Sequence, residues 1–457
     1  MHITVFEYGY LSCDKSACDE LGAELISSRA YNYLKDVCLS ASESNTAKCL
    51  GLTKRYGYEL IQVKNYVGVL FTPTGEHIEV LPKTGRTAAT NKQAVAESRQ
   101  ILLMMLQHLG VFRYVATNQA NVVSKQMPLL EVFISQFLQA VNRLVKRGLK
   151  SDYLRQQANL HFQKGKLNVS KQLRHNLVSQ HKFYVEYDEY LLNRPANRLI
   201  KTALIKLASY TRLASHQKLL RELQFAFMDV PSSTSIKQDI SALKLDRTMV
   251  DYYSPIAWAK LILEGFSPLS MKGQDSALSL LFPMEAVFES YVASVLGQHI
   301  SNHPLSDEFE LLTQARSCHL VEHHEQQWFQ LKPDLLIKQG EKNVCVLDTK
   351  WKVLDQSKDN GSDKYGLSQA DFYQMFAYGQ KYLNGQGNMF LIYPANDKFQ
   401  TPIEQSFKFS AQLTLWVVPF YLDLEGNSVL QLPNSLDPEM QKLISLLTPA
   451  REQQLVR

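Results

Sequence analysis

"VCVLDTKWKVL", residues 344–354, is an apolar run that ends in an acid and a base two positions apart. In a strand, residues i and i+2 point to the same side, so the Asp348 carboxylate and the Lys350 ammonium lie next to each other, with Thr349 between them. Taken alone, a D-x-K at a strand end is most often charged surface. Its meaning depends on what stands before and after it.

Before it, Pro333 and Asp334 open a second apolar stretch, "LKPDLLIK" (331–338), and the turn "QGEKN" (339–343) separates the two. A short turn pairs strands antiparallel, which sets the start of one beside the end of the other. Asp334 and Asp348 then meet at one edge of a sheet. Two aspartates, a few waters and substrate phosphate oxygens make a site that the hard Mg²⁺ ion accepts. In that site Asp348 ligates directly or bridges, and the Thr349 carbonyl offers a further oxygen. Lys350 is placed to hold or deprotonate the attacking water and to offset charge developing on a phosphate.

The flanking helices add candidates. "PMEAVFESYVASVLGQHI" (283–300) carries Glu289 among apolar residues, which brings that carboxylate near the sheet as a further ligand or a water-positioning group. In "ADFYQMFAYGQKYL" (370–383), Gln374 and Tyr378 stand four apart and share a face, able to hydrogen-bond the lysine or a DNA phosphate. Two more strands follow, "NMFLIYP" (388–394) and "LTLWVVPFYLDL" (413–424). Each residue alone has an ordinary structural explanation. Their joint order (Glu helix, Pro-Asp strand, short turn, D-x-K strand, Q-x-x-x-Y helix) points to an active site on a mixed α/β layout with a central sheet.

The rest of the chain bounds the possibilities. Its 457 residues exceed one core, and 45% hydrophobic with 20% charged residues is ordinary globular composition. A net charge of +5 is compatible with a polyanionic partner without demonstrating one. The six cysteines contain no CxxC pair, against zinc-ribbon and thioredoxin readings. The opening "MHITVFEYGYLSCDK" lacks the basic and apolar regions of a signal peptide, and no run of about 18 apolar residues is present. A reduced, soluble, cytoplasmic protein without a membrane span is expected.

Residues 1–90 alternate like strands in "HITVFEY", "YELIQVKNYVGVLFTP" and "EHIEVLPK", with the turn "PTGE" before the last, and predict a β-rich N-terminal domain. Residues 91–270 form a mixed region. "NKQAVAESRQILLMMLQHLGVF" and "LLEVFISQFLQAVNRLVKRGL" have helical spacing, the latter stopping at Gly148, and β-like pieces follow over 151–190. Further helices are predicted in "PANRLIKTALIKLASYTRL", "QKLLRELQFAFM" and "SPIAWAKLILEG", and "PLSMKGQDS" (268–276) reads as a boundary loop. Residues 271–457 carry the Asp-Asp-Lys set. From Arg143 to Lys182 the only acid is Asp152, so Lys146, Arg147, Lys150, Arg155, Lys164, Lys166, Lys171 and Arg174 could track DNA, meet an acidic protein face, or be solvated surface. "CHLVEHHE" (318–325) fits no standard zinc spacing and reads as strand and surface, leading toward the Pro-Asp hairpin.

"PD…DTK…QMFAY" resembles the PD-(D/E)xK nuclease superfamily, with the Q-x-x-x-Y helix of its RecB-like branch. Four further blocks resemble McrC, the nuclease subunit of 5-methylcytosine restriction systems: 60–85, 146–176, 182–204 and 281–296, from "LIQVKNYVGV" to "LFPMEAVFESYVASVL". The resemblance implies a β-rich and helical N-terminal arm before a restriction-endonuclease-like PD-(D/E)xK domain. It implies a catalytic set of Asp334, Asp348 and Lys350, supported by Glu289, Gln374 and Tyr378, with Mg²⁺ or Mn²⁺ held by Asp334, Asp348 and Thr349. It also implies a hexameric McrB-like AAA+ GTPase partner, engaged and stimulated by the N-terminal part, and a double-stranded, possibly methylated DNA substrate. The sequence contains no G-x-x-x-x-G-K-[ST] loop, so GTP is expected on the partner and not on this chain. The rival readings are an adaptor that activates the GTPase without cutting, and a stand-alone RecB-like repair nuclease.

Overall fold

The computed structural model describes residues 2–40, 49–72, 75–84, 90–109, 127–264, 279–424, 427–433 and 441–448. The expected boundary loop at 268–276 and part of the "PTGE" turn lie outside them. The chain forms two compact units, one of residues 1–126 with 267–457 and the other of 127–266. The β-rich opening and the D-x-K region thus fall within one unit, not in consecutive independent segments. The architecture is mixed α/β, and no helix among the described residues is long and apolar enough to cross a membrane.

In the discontinuous unit, the first sheet joins distant parts of the chain. Strands His2–Phe6, His77–Leu81 and Tyr66–Phe71 are followed in the sheet by Ser279–Pro283, which pairs antiparallel with Tyr66–Phe71. Gly68 makes this pairing feasible. Its φ is +132°, and a Cβ there would stand 1.9 Å from the Leu280 carbonyl oxygen. A smaller sheet contains Tyr10–Ser12, Glu24–Leu25, Tyr58–Val63 and Leu50–Arg55. The opening is less purely β than its alternation suggests. Helix Ser28–Ser40 buries Ala30, Tyr31, Leu34 and Val37, a 3–4 spacing present in the sequence between the segments of strand alternation. Helix Asn91–Leu106 begins at the Thr90 cap, and its Arg99 makes two 2.7 Å contacts with buried Glu79.

The central sheet runs in the order Phe309–Thr313, Leu335–Gln339, Lys342–Thr349, Gly387–Pro394, Leu413–Tyr421 and Phe407–Lys408, with Val429–Leu430 beside Leu413–Tyr421. The first three strands are antiparallel neighbours, and Lys342–Thr349, Gly387–Pro394 and Leu413–Tyr421 are parallel. Helix Gln369–Tyr382 makes the crossover that parallel pairing requires. It lies close to the sheet at Gly379, where a Cβ would come within 2.7 Å of Leu413 and 2.8 Å of Met389. Met375, Tyr378 and Tyr382 pack from this helix onto the sheet's Val346, Met389, Leu391 and Leu415.

The 127–266 unit is built on helix Leu129–Arg147, which ends at Gly148 (φ +95°) as the sequence predicts. A three-stranded sheet follows, with Asp152–Leu160 and Lys166–Leu167 on either side of Phe183–Leu191. The predicted β-like stretch also contains a short helix, Val169–Asn176, capped by the Asn168 side chain. Helices Pro195–Leu207, Ala214–Ala226 and Tyr253–Glu264 complete the principal packing. Buried Glu131 accepts from the Arg212 N–H at 2.7 Å and the Thr211 hydroxyl at 3.0 Å, and contacts His216 Nδ1 at 2.7 Å.

Gly68→Ala is expected to destabilise the discontinuous unit by ~2 kcal/mol or more, because both the backbone conformation and the carbonyl contact resist a side chain. Urea denaturation against the parent, with Gly57→Ala (positive φ, nothing near its Cβ) as the control, separates the clash from the φ effect.

Candidate active site

The site begins with register. Leu335–Gln339 and Lys342–Thr349 are joined by a two-residue turn at Gly340 and Glu341, with Leu335 opposite Leu347. Asp334, just before the first strand, therefore reaches the last residue of the second. One carboxylate oxygen, Oδ2, accepts both the Thr349 backbone N–H at 2.8 Å and the Thr349 hydroxyl at 2.7 Å. The Asp334 carbonyl accepts from Gln314 N–H at 2.8 Å, which ties the adjoining strand end to the same corner.

Asp348 is 1% exposed. Its side chain receives no hydrogen bond of normal geometry on either oxygen, although the Lys350 ammonium lies 2.6 Å from Oδ2. A buried carboxylate without directed donors is costly as an anion. Burial, reinforced by the negative charge of Asp334, pushes its pKa up to about 7 against the opposing pull of Lys350. Lys350 follows the strand, and its backbone N–H donates to Ile392 O at 2.9 Å. Burial alone would lower the Lys350 pKa, but Asp348, with Asp334 and Asp371 behind it, raises it above the ordinary lysine value. Lys350 is held as an ammonium.

A chain of hydrogen bonds orients that ammonium. Lys350 Nζ donates to Gln374 Oε1 at 3.1 Å, Gln374 Nε2 donates to the Tyr378 hydroxyl at 2.7 Å, and that hydroxyl donates to Lys332 O at 2.9 Å. Because the Tyr378 proton is committed to a carbonyl, its oxygen accepts, and the Gln374 amide must present its own oxygen to Lys350. Burial pushes the Tyr378 phenol up to about 12, so it stays a neutral donor. Lys332 immediately precedes Pro333 and Asp334, so the chain closes on the hairpin where it began.

Glu289 lies on helix Met284–Ser301 and is half-buried, with Gln314 Nε2 donating to its Oε1 at 2.7 Å. Burial and then Asp334 raise its pKa, while Gln314, Lys332 and Lys350 oppose. It shares the electrostatic environment of Asp334 through Gln314. Two groups not singled out in the sequence also belong here. Asp371 acts on both Asp348 and Lys350 through its charge and accepts from Tyr393 OH at 3.3 Å. Gln314 bridges Glu289 and Asp334. Asp371 had a signal, being one helical turn before Gln374, whereas Gln314 lies in a stretch without a motif.

Among the described residues, no three His, Cys, Asp or Glu side chains converge closely enough to form a metal cluster by themselves. Asp334 and Asp348 are a pair. Their chemistry nevertheless suits a hard divalent cation, because buried Asp348 lacks directed donors and is made harder to ionise by the neighbouring carboxylate. A cation would relieve both penalties, and Mg²⁺ commonly takes one or two carboxylates with water completing its shell. The "CHLVEHHE" segment is instead half of a separate hairpin, Cys318–His323 with Gln326–Leu331. Its second strand ends at Leu331, and Lys332, Pro333 and Asp334 connect it to strand Leu335–Gln339, so the segment leads into the Pro-Asp hairpin as its order in the sequence suggests.

The basic 143–182 stretch also changes character in three dimensions. Strand Phe183–Leu191 brings acids beside it: Arg155 lies 3.4 Å from Glu186, and Lys164 lies 3.2 Å from Glu189. Arg147 pairs with Asp251, and Lys164 also sits 4.0 Å from the Tyr187 ring centre. A run basic in sequence becomes a surface of mixed charge once its sheet partners are present.

Comparison with known proteins agrees with this organisation. The family model described as "McrBC 5-methylcytosine restriction system component" matches residues 61–394, well over half the chain. The chain belongs to the McrBC family. The match spans strands of the first sheet, the 127–266 unit and the Asp334–Tyr378 region. No curated protein matches the sequence. A chain of the half-complex from a tetradecameric assembly of Thermococcus gammatolerans McrB AAA+ hexamers with bound McrC has a TM-score of 0.63 at 17% identity, covering 100% of both chains. At that identity the likeness is one of fold. A chain of the cryo-EM structure of the Thermococcus gammatolerans McrBC complex has a TM-score of 0.44 at 20% identity, covering 66% of this chain and 89% of that one.

The Asp348 shift has a testable sign. Its pKa is raised on folding, so between about pH 4 and about pH 7 the native state holds a proton that the unfolded state has lost, and this group lowers stability as pH rises. Asp348→Asn imitates the protonated form. In metal-free buffer, its stability relative to the parent is expected to improve from pH 5 to pH 8, by at most a few kcal/mol (~1.4 per pKa unit). Denaturant midpoints at the two pH values check the sign.

Proposed function

We propose that this McrBC component is the nuclease subunit, McrC, of a GTP-dependent restriction complex: a Mg²⁺-dependent DNA endonuclease with a PD-(D/E)xK-type site. The observation carrying this reading is the buried Asp348–Lys350 pair beside Asp334, oriented through Gln374 and Tyr378. A charged surface needs neither a desolvated carboxylate nor a lysine directed by a fixed amide. The partner in this proposal is an McrB-like AAA+ hexamer, supported by family membership and by the McrB hexamers with bound McrC of the solved relative. GTP belongs to that partner, and double-stranded DNA, with or without methylation, is the substrate.

Asp334 and Asp348 would hold the cation, with the Thr349 carbonyl as a further oxygen. Bound there, Mg²⁺ supplies a Lewis-acid charge for the phosphate and a more acidic water. The protein's contribution is orientation and charge. Thr349 fixes Asp334 through a single oxygen, leaving Oδ1 uncommitted to that clamp. Lys350, held as an ammonium, donates to a phosphate oxygen or to the attacking water and offsets negative charge as the phosphodiester is displaced in line. That charge state favours stabilisation over proton abstraction. Glu289 orients water through the end of its carboxylate not held by Gln314, and Mn²⁺ would substitute for Mg²⁺ in the same oxygen set.

The test uses plasmid DNA, methylated and unmethylated, with Mg²⁺, GTP and the McrB-like AAA+ protein. The parent is expected to cut only with the partner, and Asp348→Ala to lose roughly 10³-fold or more of the rate. Cleavage unaffected by Asp348→Ala, or stimulation of GTP hydrolysis without cutting by the parent, contradicts the nuclease reading. The second result favours the adaptor.

Tyr378→Phe leaves the Gln374 amide free to rotate and is expected to slow cleavage roughly tenfold by disorienting Lys350. Single-turnover rates with DNA saturating check this, since an effect confined to DNA affinity would not appear there.

A further inference from the structure

Trp351 follows Lys350 and is 6% exposed. Its indole N–H donates at 2.5 Å to Oε1 of Glu7, 344 positions earlier in the chain. Glu7 directly follows strand His2–Phe6, is 2% exposed, and has its backbone N–H bound to Leu81 O at 2.9 Å. The same Oε1 accepts from the Lys83 N–H at 3.1 Å, whereas buried Oε2 has no hydrogen-bond partner. The indole also packs edge-on against Phe288, at 5.2 Å between ring centres and 60° between planes. Phe288 immediately precedes Glu289. One side chain therefore lies between the segment bearing Lys350 and the helix bearing Glu289, fastened by a carboxylate from the first sheet.

We propose that Glu7 is a positioning residue for the active site, acting through Trp351 to hold the Lys350 segment against the Glu289 helix. The inference rests on the nuclease reading of the site and extends its apparatus to the N-terminal strand. Packing alone would be better served there by an apolar side chain, since burying a carboxylate with one oxygen unsatisfied opposes folding. The arrangement gains direction instead. A tryptophan ring held only by apolar contacts can slide, whereas an N–H donated to an anchored acceptor fixes its rotation. The groups bearing electrostatically on Glu7 are Lys83 and Glu285, the latter from the first turn of the helix that carries Glu289. Burial pushes the Glu7 carboxyl up to about 7, the opposing contributions of Trp351 and Lys83 notwithstanding.

The experiment uses the full chain and four variants: Glu7→Leu, Glu7→Gln, Trp351→Phe and the Glu7→Leu/Trp351→Phe pair. Thermal unfolding identifies variants folded at the assay temperature. Single-turnover cleavage with the AAA+ partner, Mg²⁺ and GTP then separates rate from DNA affinity. Glu7→Leu and Trp351→Phe are each expected to lower the maximal rate on the order of 10- to 100-fold with half-saturating DNA unchanged, as a misplaced catalytic group does. The pair should be no worse than the more severe single variant, because both remove one contact. Glu7→Gln keeps an accepting oxygen and should recover most of the rate.

Tryptophan emission provides a readout independent of cutting. The Trp351 contribution, obtained by difference from Trp351→Phe, should change in Glu7→Leu and be largely retained in Glu7→Gln. Parental cleavage rates in folded Glu7→Leu, multiplicative losses in the pair, or Trp351 emission indifferent to Glu7 would each overturn the proposal. If the parent itself does not cut, the nuclease reading and this inference about catalysis both fall, while altered emission identifies the contact as structural. Emission indifferent to Glu7 in a parent that does cut overturns the positioning role alone.

Discussion

Thr349 gives two hydrogen bonds to one oxygen of Asp334, and the rest of the site depends on that clamp. It requires the antiparallel register of this hairpin, in which an irregularity between Ile337 and Lys338 shifts the pairing that leaves the Gly340–Glu341 turn by one residue and so sets Leu335 opposite Leu347. It also requires the end of Lys342–Thr349 to be fixed on its other side. The parallel pairing with Gly387–Pro394 does this, continuing to the Lys350 N–H bond on Ile392 O. Asp348 is thereby buried at the end of a central strand, and Lys350 leaves the sheet within reach of it.

The electrostatics follow from this placement. A carboxylate at the surface would ionise without needing Lys350, and an isolated buried one would neutralise. Asp348 lies between these limits, with Asp334 opposing its charge and Lys350 favouring it. The same field keeps Lys350 protonated despite its burial. Gln374 and Tyr378 then decide where the ammonium points. Gly379 contributes at a distance from the chemistry, since a side chain there would meet Leu413 and Met389 and push the helix carrying both groups off the sheet.

Much of this local arrangement was legible in the sequence for stated reasons. Two apolar runs on either side of a short turn specified the hairpin at 331–349, and the four-residue separation placed Gln374 and Tyr378 on one helical face. The structure brings Asp334, Asp348, Lys350, Gln374 and Tyr378 together, with Glu289 beside them through Gln314. What escaped was set by non-local pairing. No local pattern shows that Ser279–Pro283 completes a sheet begun at His2, that acids at Glu186 and Glu189 offset an apparently basic tract, or that Glu7 meets Trp351. Helix Ser28–Ser40 differs, because its 3–4 spacing is local but lies between segments whose strand alternation is stronger.

The most direct test of the central claim, that the Asp334–Asp348 pair is a divalent-cation site serving phosphodiester hydrolysis, is Mn²⁺ binding followed by electron paramagnetic resonance with a short DNA duplex present. Parent, Asp334→Asn and Asp348→Asn would be compared under conditions where all three are folded. A parental Mn²⁺ site weakened on the order of 100-fold or more by each substitution, and displaced by Mg²⁺, is the predicted result. Equal Mn²⁺ binding by all three proteins, or no binding by the parent, would contradict it.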